Sequence, residues 1–254
     1  VWSYESNTQY NLLIADNGRN TIEEYRGDNF KLLRKLDNPY FYGVRDITVK
    51  DGYIYMIPYY SFTVEIFNEI SMEHYATVDD WSDNSTSPYR LQFISQYKLA
   101  VMQEADDEDS SAVGTVTLYD VGFYHNKLAT SFLYDVQIPN VTDMAVGNDS
   151  DSVWVVTTDK IMLYNHLLDY TRLLLDKTNF SLSSDESFAF IEYYDGYFWL
   201  VTQTSTSSTL WKIDPTDLSR TVVQAILGFS INSFLFKDND TIIIVGCVTD
   251  LSFY

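Results

Sequence analysis

The densest group of chemically capable side chains is the acidic run from Glu104 to Asp109, interrupted only by Ala105. Clustered carboxylates offer the hard oxygen ligands that calcium takes, which makes Asp106, Asp107, Glu108 and Asp109 candidate metal ligands. The run lacks the regular spacing and the glycine of a known calcium loop, and a solvated acidic loop is the competing reading. Asp16, Asp46 and Asp143 lie at strand ends, where carboxylates either converge on a site or cap turns. His74, His125 and His166 show no metal-ligand spacing, and no nucleophile elbow, P-loop or dinucleotide fingerprint occurs. No catalytic residue is assigned.

Two further groups point to surfaces rather than catalysis. Asn84, Asn140, Asn148, Asn179 and Asn239 each begin an Asn-x-Ser/Thr sequon. All five fall in expected turns, where a glycan needs its acceptor, although Asn is also an ordinary turn residue. Tyr40, Tyr42, Tyr59 and Tyr60 sit in connections and offer both ring area and a hydroxyl, as a protein- or sugar-binding surface requires. Packing between repeats is the alternative role for them.

The elements that must position these residues are short strands. The stretch from Gly43 to Asn68 reads strand, turn, strand, turn, strand, with Asp51-Gly52 as its hairpin signal. Asp195-Gly196 repeats that signal. Six almost continuously apolar runs begin at Asn11, Tyr53, Lys98, Val153, Tyr197 and Ile242, about 45 residues apart. Such runs are what strands buried on both faces look like. Four short strands per unit at this period predict an all-β propeller, a single domain over 1–254 with six blades of four antiparallel strands. The blades are placed at about 1–37, 44–79, 90–135, 142–176, 187–226 and 231–254. The last is incomplete, with a third strand beginning only at Leu251–Tyr254. A continuing chain, a degenerate blade or a strand from another chain would each account for that.

Composition narrows the classes. The net charge of −20 argues against nucleic acid, which needs clustered Lys and Arg, and against anionic membrane surfaces. No apolar run is long enough to span a membrane as a helix. The single cysteine, Cys247, lies in an apolar run and reads as a small buried hydrophobe. The chain opens on Val1, which reads as a processed product or a piece of something longer.

The first two repeats carry a resemblance. LLIADNGRNTIEEYRGDNFKLLRKL in the first and DITVKDGYIYM in the second resemble the repeat of NHL-type six-bladed propellers, a group similar to gluconolactonases. The resemblance implies the fold, and it brings in calcium as a cofactor and a lactonase or esterase-type hydrolase as one activity. It identifies no ligand set here. The expectation taken from the residues is an extracellular, glycosylated propeller at a cell or virion surface or in a filament. It acts as a binding or structural module with protein or glycan partners, or by self-assembly, and the calcium-dependent hydrolase is the alternative.

Overall fold

The computed structural model describes residues 2–6, 9–16, 21–37, 43–59, 61–78, 87–104, 114–124, 127–148, 152–227, 229–238 and 241–248. Their contacts divide the chain into two compact units, Val1–Ile138 and Pro139–Tyr254.

The first unit holds three blades. Blade 1 is β1 (Trp2–Ser6), β2 (Gln9–Asp16), β3 (Thr21–Arg26) and β4 (Leu32–Asp37). Blade 2 is β5 (Val44–Lys50), β6 (Tyr53–Pro58), β7 (Val64–Asn68) and β8 (His74–Val78). Blade 3 is β9 (Ser87–Phe93), β10 (Lys98–Glu104), β11 (Thr115–Tyr124) and β12 (Lys127–Gln137). The second unit holds blade 4, with β13 (Val141–Val146), β14 (Ser152–Thr157), β15 (Lys160–Asn165) and β16 (Tyr170–Asp176). It also holds blade 5, with β17 (Ser187–Tyr194), β18 (Tyr197–Gln203), β19 (Ser207–Ile213) and β20 (Arg220–Leu227). A two-stranded sheet follows, made of β21 (Phe229–Asp238) and β22 (Thr241–Val248). Each blade is an antiparallel sheet whose strands lie side by side in chain order. The described residues thus build five four-stranded blades where six were expected. The sixth unit contributes two strands, and Leu251–Tyr254, the expected third, lies outside the described residues.

Side-chain alternation explains the apolar runs. In β6, Ile54 and Met56 pack with Leu13 and Ile22 of blade 1, while Tyr55 and Ile57 pack with Leu91, Leu99 and Val101 of blade 3. In β18, Phe198 and Leu200 pack with Trp154 and Val156 of blade 4, and Val201 packs with Ile231 and Phe234 of β21. A strand with apolar partners on both faces has no polar phase in its sequence. The hairpins between first and second strands turn as the sequence indicates. Asp51 and Gly52 have φ of 51° and 81°, and Asp195 and Gly196 have 50° and 83°. Two successive left-handed residues make the turn whose twist matches the strands.

Every outer strand, β4, β8, β12, β16 and β20, is bulged against its neighbour. Bulges blunt an edge that would otherwise template further pairing. Arg34 of β4 pairs with the buried Glu24 and also donates from Nη1 to the Ile70 carbonyl, which ties blade 1 to the blade 2 hairpin.

One helical turn appears that the strand pattern hides, α1 (Lys177–Phe180). Asp176 caps it, and Asn179 Oδ1 accepts the Asp176 amide at 2.7 Å, which completes a capping box. The Thr178 hydroxyl, with the Thr178 and Asn179 amides, holds the Asp176 carboxyl below its ordinary range. Gly147, just after β13, is required by space. A Cβ built there would lie 3.3 Å from Phe198 Cζ and 3.7 Å from Tyr193 Cε2. Gly147→Ala is expected to cost about 1 kcal/mol by overpacking, read from the urea unfolding midpoint.

Candidate binding site at the first-strand bulges

The first strands of blades 2 to 5 and of the last sheet share a device that the sequence does not announce. Each carries an extra residue relative to its partner, at Arg45, Tyr89, Thr142, Ala189 and Asn232, and β21 carries a second at Lys237. A bulge bends the strand and re-aims the side chains beside it. The residues that follow are Asp46, Arg90, Asp143, Phe190 and Ser233.

Two of these carboxylates tie one blade to the next. Asp46 is buried, and its Oδ2 accepts the Leu91 amide of β9 at 2.7 Å. Asp143 is equally buried, and its Oδ2 accepts the Ile191 amide of β17 at 2.9 Å while Oδ1 accepts the Met144 amide at 2.9 Å. A hydrogen bond to an ionised acceptor is roughly twice as strong as a neutral one. Such bonds offset the cost of burying the charge. Asp46 and Asp143 therefore act as cross-blade braces, and the side chain of Asp16 lies outside the described set.

The bulge of blade 2 adds something that the repeat does not. Tyr59 follows β6, and its amide donates to the Gly43 carbonyl at 3.3 Å, which sets the residue beside the bulge. The Arg45 guanidinium lies over the Tyr59 ring at 5.0 Å from its centroid, and Nη1 donates to the Pro88 carbonyl of blade 3 at 3.2 Å. Arg90 Nη1 stands 4.0 Å from Asp46 Oδ1. Arg45 and Tyr59 are half-buried, and the Arg90 side chain is 12% exposed. Beyond Tyr59, the Ser61 and Thr63 hydroxyls bond to each other, and Thr63 Oγ1 donates to Glu65 Oε1 at 2.8 Å. The result is a cation and an aromatic ring held in fixed relation in a chain with 36 acidic and 16 basic residues.

Of the residues expected to form sites, Tyr59 is the Tyr that the structure describes, and it takes part in this arrangement. Tyr40, Tyr42 and Tyr60 lie outside the described residues, as do Asp106, Asp107 and Asp109 with Glu108, and the sequons at Asn84 and Asn239. Asn140, Asn148 and Asn179 are exposed. Asn140 sits in a turn with φ of 55°, and Asn148 follows Gly147 in a bend. His74 Nε2 bonds Glu65 Oε2 at 2.8 Å on the solvent side of blade 2, and His166 is half-buried in the turn after β15. Among the described residues no group of three or more His, Cys, Asp or Glu side chains is placed to hold a metal ion. Sequence reasoning missed Arg45 and Arg90. The available signal was the parallel between VRDITV and VTDMAV, identical at three of six positions, in which the Asp is shared and the residue before it is not.

No family model matches the sequence, and no curated protein matches it. Solved structures do. A luciferin-regenerating enzyme aligns over 89% of this chain and 75% of its own, with 14% identity and a TM-score of 0.61. A protein from Lactobacillus plantarum aligns over 95% and 75%, with 12% identity and a TM-score of 0.61. The β-propeller domain of Cps50 (Swd1) from Myceliophteria thermophila aligns over 90% and 76%, with 9% identity and a TM-score of 0.54. The similarity is one of fold, and together with the blade series above it makes this chain an all-β propeller.

Proposed function

We propose that the chain is an extracellular, glycosylated propeller that works as a binding or structural module at a surface, with protein or glycan partners. The observation that carries this reading is the placement of the sequons. Asn140, Asn148 and Asn179 lie in separate connections, and each is exposed. Asn179 spends its amide oxygen on the helix cap, whereas Nδ2, where a sugar is attached, has no hydrogen-bond partner among the described residues. A glycan there leaves the cap intact. The acidity of the chain suits an exposed, soluble surface. The calcium-dependent hydrolase gains nothing comparable, because Asp46 and Asp143 are committed to backbone amides.

The test is the intact mass of the chain made through a secretory route, before and after enzymatic glycan removal. The expected result is a mass above 29.4 kDa that falls on treatment, with one step lost in each of Asn140→Gln, Asn148→Gln and Asn179→Gln. A mass equal to the bare chain overturns the reading.

A further inference from the structure

We propose that the edge of β22 away from β21 is the docking surface for the same strand of a second copy of this chain, so that two chains share one sheet. The inference goes beyond the reading above and does not rest on it. β22 holds the place that β2, β6, β10, β14 and β18 hold in their blades, beside the first strand. Those five strands are paired along both edges. Among the described residues, β22 is paired along one edge, with β21. The strand is held in place, because Ile242 packs against the cluster of Val201, Leu210, Ile231 and Phe234 that joins this sheet to blade 5.

An edge templates further pairing unless something blunts it. The outer strands of the five blades are blunted twice. Leu33, Tyr75, Leu133, Leu174 and Val223 are extra residues that bulge β4, β8, β12, β16 and β20. Each of those strands also carries a charged or titratable side chain, from Arg34 in β4 to Arg220 in β20. β22 has neither device. The extra residues of its sheet, Asn232 and Lys237, lie on β21. Its own sequence, TIIIVGCV, holds no Asp, Glu, Lys, Arg, His or Pro, and six of its eight residues are β-branched, the type that favours pairing. Two observations select a second copy as the occupant. The chain carries a net charge of −20, so two copies repel wherever their carboxylates meet. β22 against β22 sets no charge opposite its like, and exposed charges elsewhere are largely screened beyond about 8 Å. The strand count also closes. Antiparallel pairing about a two-fold axis gives the order β21, β22, β22, β21, which is four strands, the number in each complete blade. The same patch serves both copies, so assembly stops at two and does not run on into a fibre.

The experiment is sedimentation equilibrium of the full chain from micromolar to near-millimolar concentration, with hydrogen–deuterium exchange of β22 read on the same samples. The polypeptide mass is expected to rise to twice the 29.4 kDa of one chain. The β22 amides that β21 does not engage should slow about tenfold or more as the dimer forms. Val245→Lys sets a charge against its like at the shared edge and should abolish the dimer. Leu133→Lys, the same kind of change on the exposed side of β12, should leave it in place. Circular dichroism and thermal melting confirm that each variant folds, and exchange in the native chain decides the question if Val245→Lys does not. A monomer at every concentration overturns the proposal. So does a dimer whose β22 amides stay unprotected, protection that is already complete in the monomer, a dimer that persists in folded Val245→Lys, or one lost equally in Leu133→Lys. Glycan analysis is a separate measurement, so this proposal and the extracellular reading fail separately.

Discussion

Phe198→Ala is expected to destabilise the second unit by about 4 kcal/mol, within the range for removing a large aromatic from a packed core. Phe198 is 2% exposed and stacks on Trp154 with ring centroids 3.8 Å apart and 15° between planes. Tyr193 leans on it with centroids 4.9 Å apart, and Gly147 approaches its edge. Truncation therefore forfeits contacts with three other residues and leaves a void between blades 4 and 5. Urea unfolding gives the free energy. A loss under about 2 kcal/mol would mean that the site collapses on the gap and that the packing is looser than described. A double substitution sharpens the test. Gly147→Ala costs stability against the native Phe198 but points its new methyl at the space vacated in Phe198→Leu. The two changes should be non-additive, with the double variant more stable than the sum predicts, as contacting positions generally behave.

Asp143→Ala is expected to cost about 3 kcal/mol. It removes a buried charged acceptor and strands the Ile191 and Met144 amides, each bonded at 2.9 Å in the native chain. A hydrogen bond to a charged group is worth about 1.5–3 kcal/mol, and a buried donor left without a partner costs about 1–3 kcal/mol. Asp143→Asn keeps one amide oxygen as acceptor and should lose about half as much. The loss in Asp143→Asn relative to wild type distinguishes a brace from a side chain that merely fills space, since carboxamide and carboxylate are nearly equal in shape and filler alone would leave Asn at wild-type stability. If both variants unfold at the wild-type urea concentration, the carboxylate holds nothing.

The repeat was legible because each unit announces its second strand. Tyr53–Pro58 and Tyr197–Gln203 follow Asp-Gly turns, the first apolar throughout and the second apolar over 197–201, which reads as strand. The bulges were not legible. Arg45 in β5 alternates with its neighbours as any strand residue would, and only the pairing of Val44 with Pro58 and of Asp46 with Ile57 shows that it is extra. Asp46 and Asp143 were read as strand-end carboxylates that cap turns or converge on a site, and the structure gives them the different role of bracing the next blade, because a carboxylate that braces a neighbouring amide and one that binds a cation have the same letter. The partner, Leu91 or Ile191, lies more than forty positions away and contributes only its backbone. α1 was signalled locally by Asp176 and Asn179 in capping-box spacing, yet four residues are too few for a helical period to emerge from the flanking strands.

The cross-blade brace has a consequence for how such a chain comes apart. The carboxylate belongs to one blade and the proton it holds belongs to the next, so each of these amides reports on its predecessor. In hydrogen–deuterium exchange, the Leu91 amide is protected only while β5 keeps its shape, and the Ile191 amide only while β13 does. The two braces thus join blade 2 to blade 3 and blade 4 to blade 5 as reciprocal nearest-neighbour couplings, so that loosening either member of a pair weakens the other.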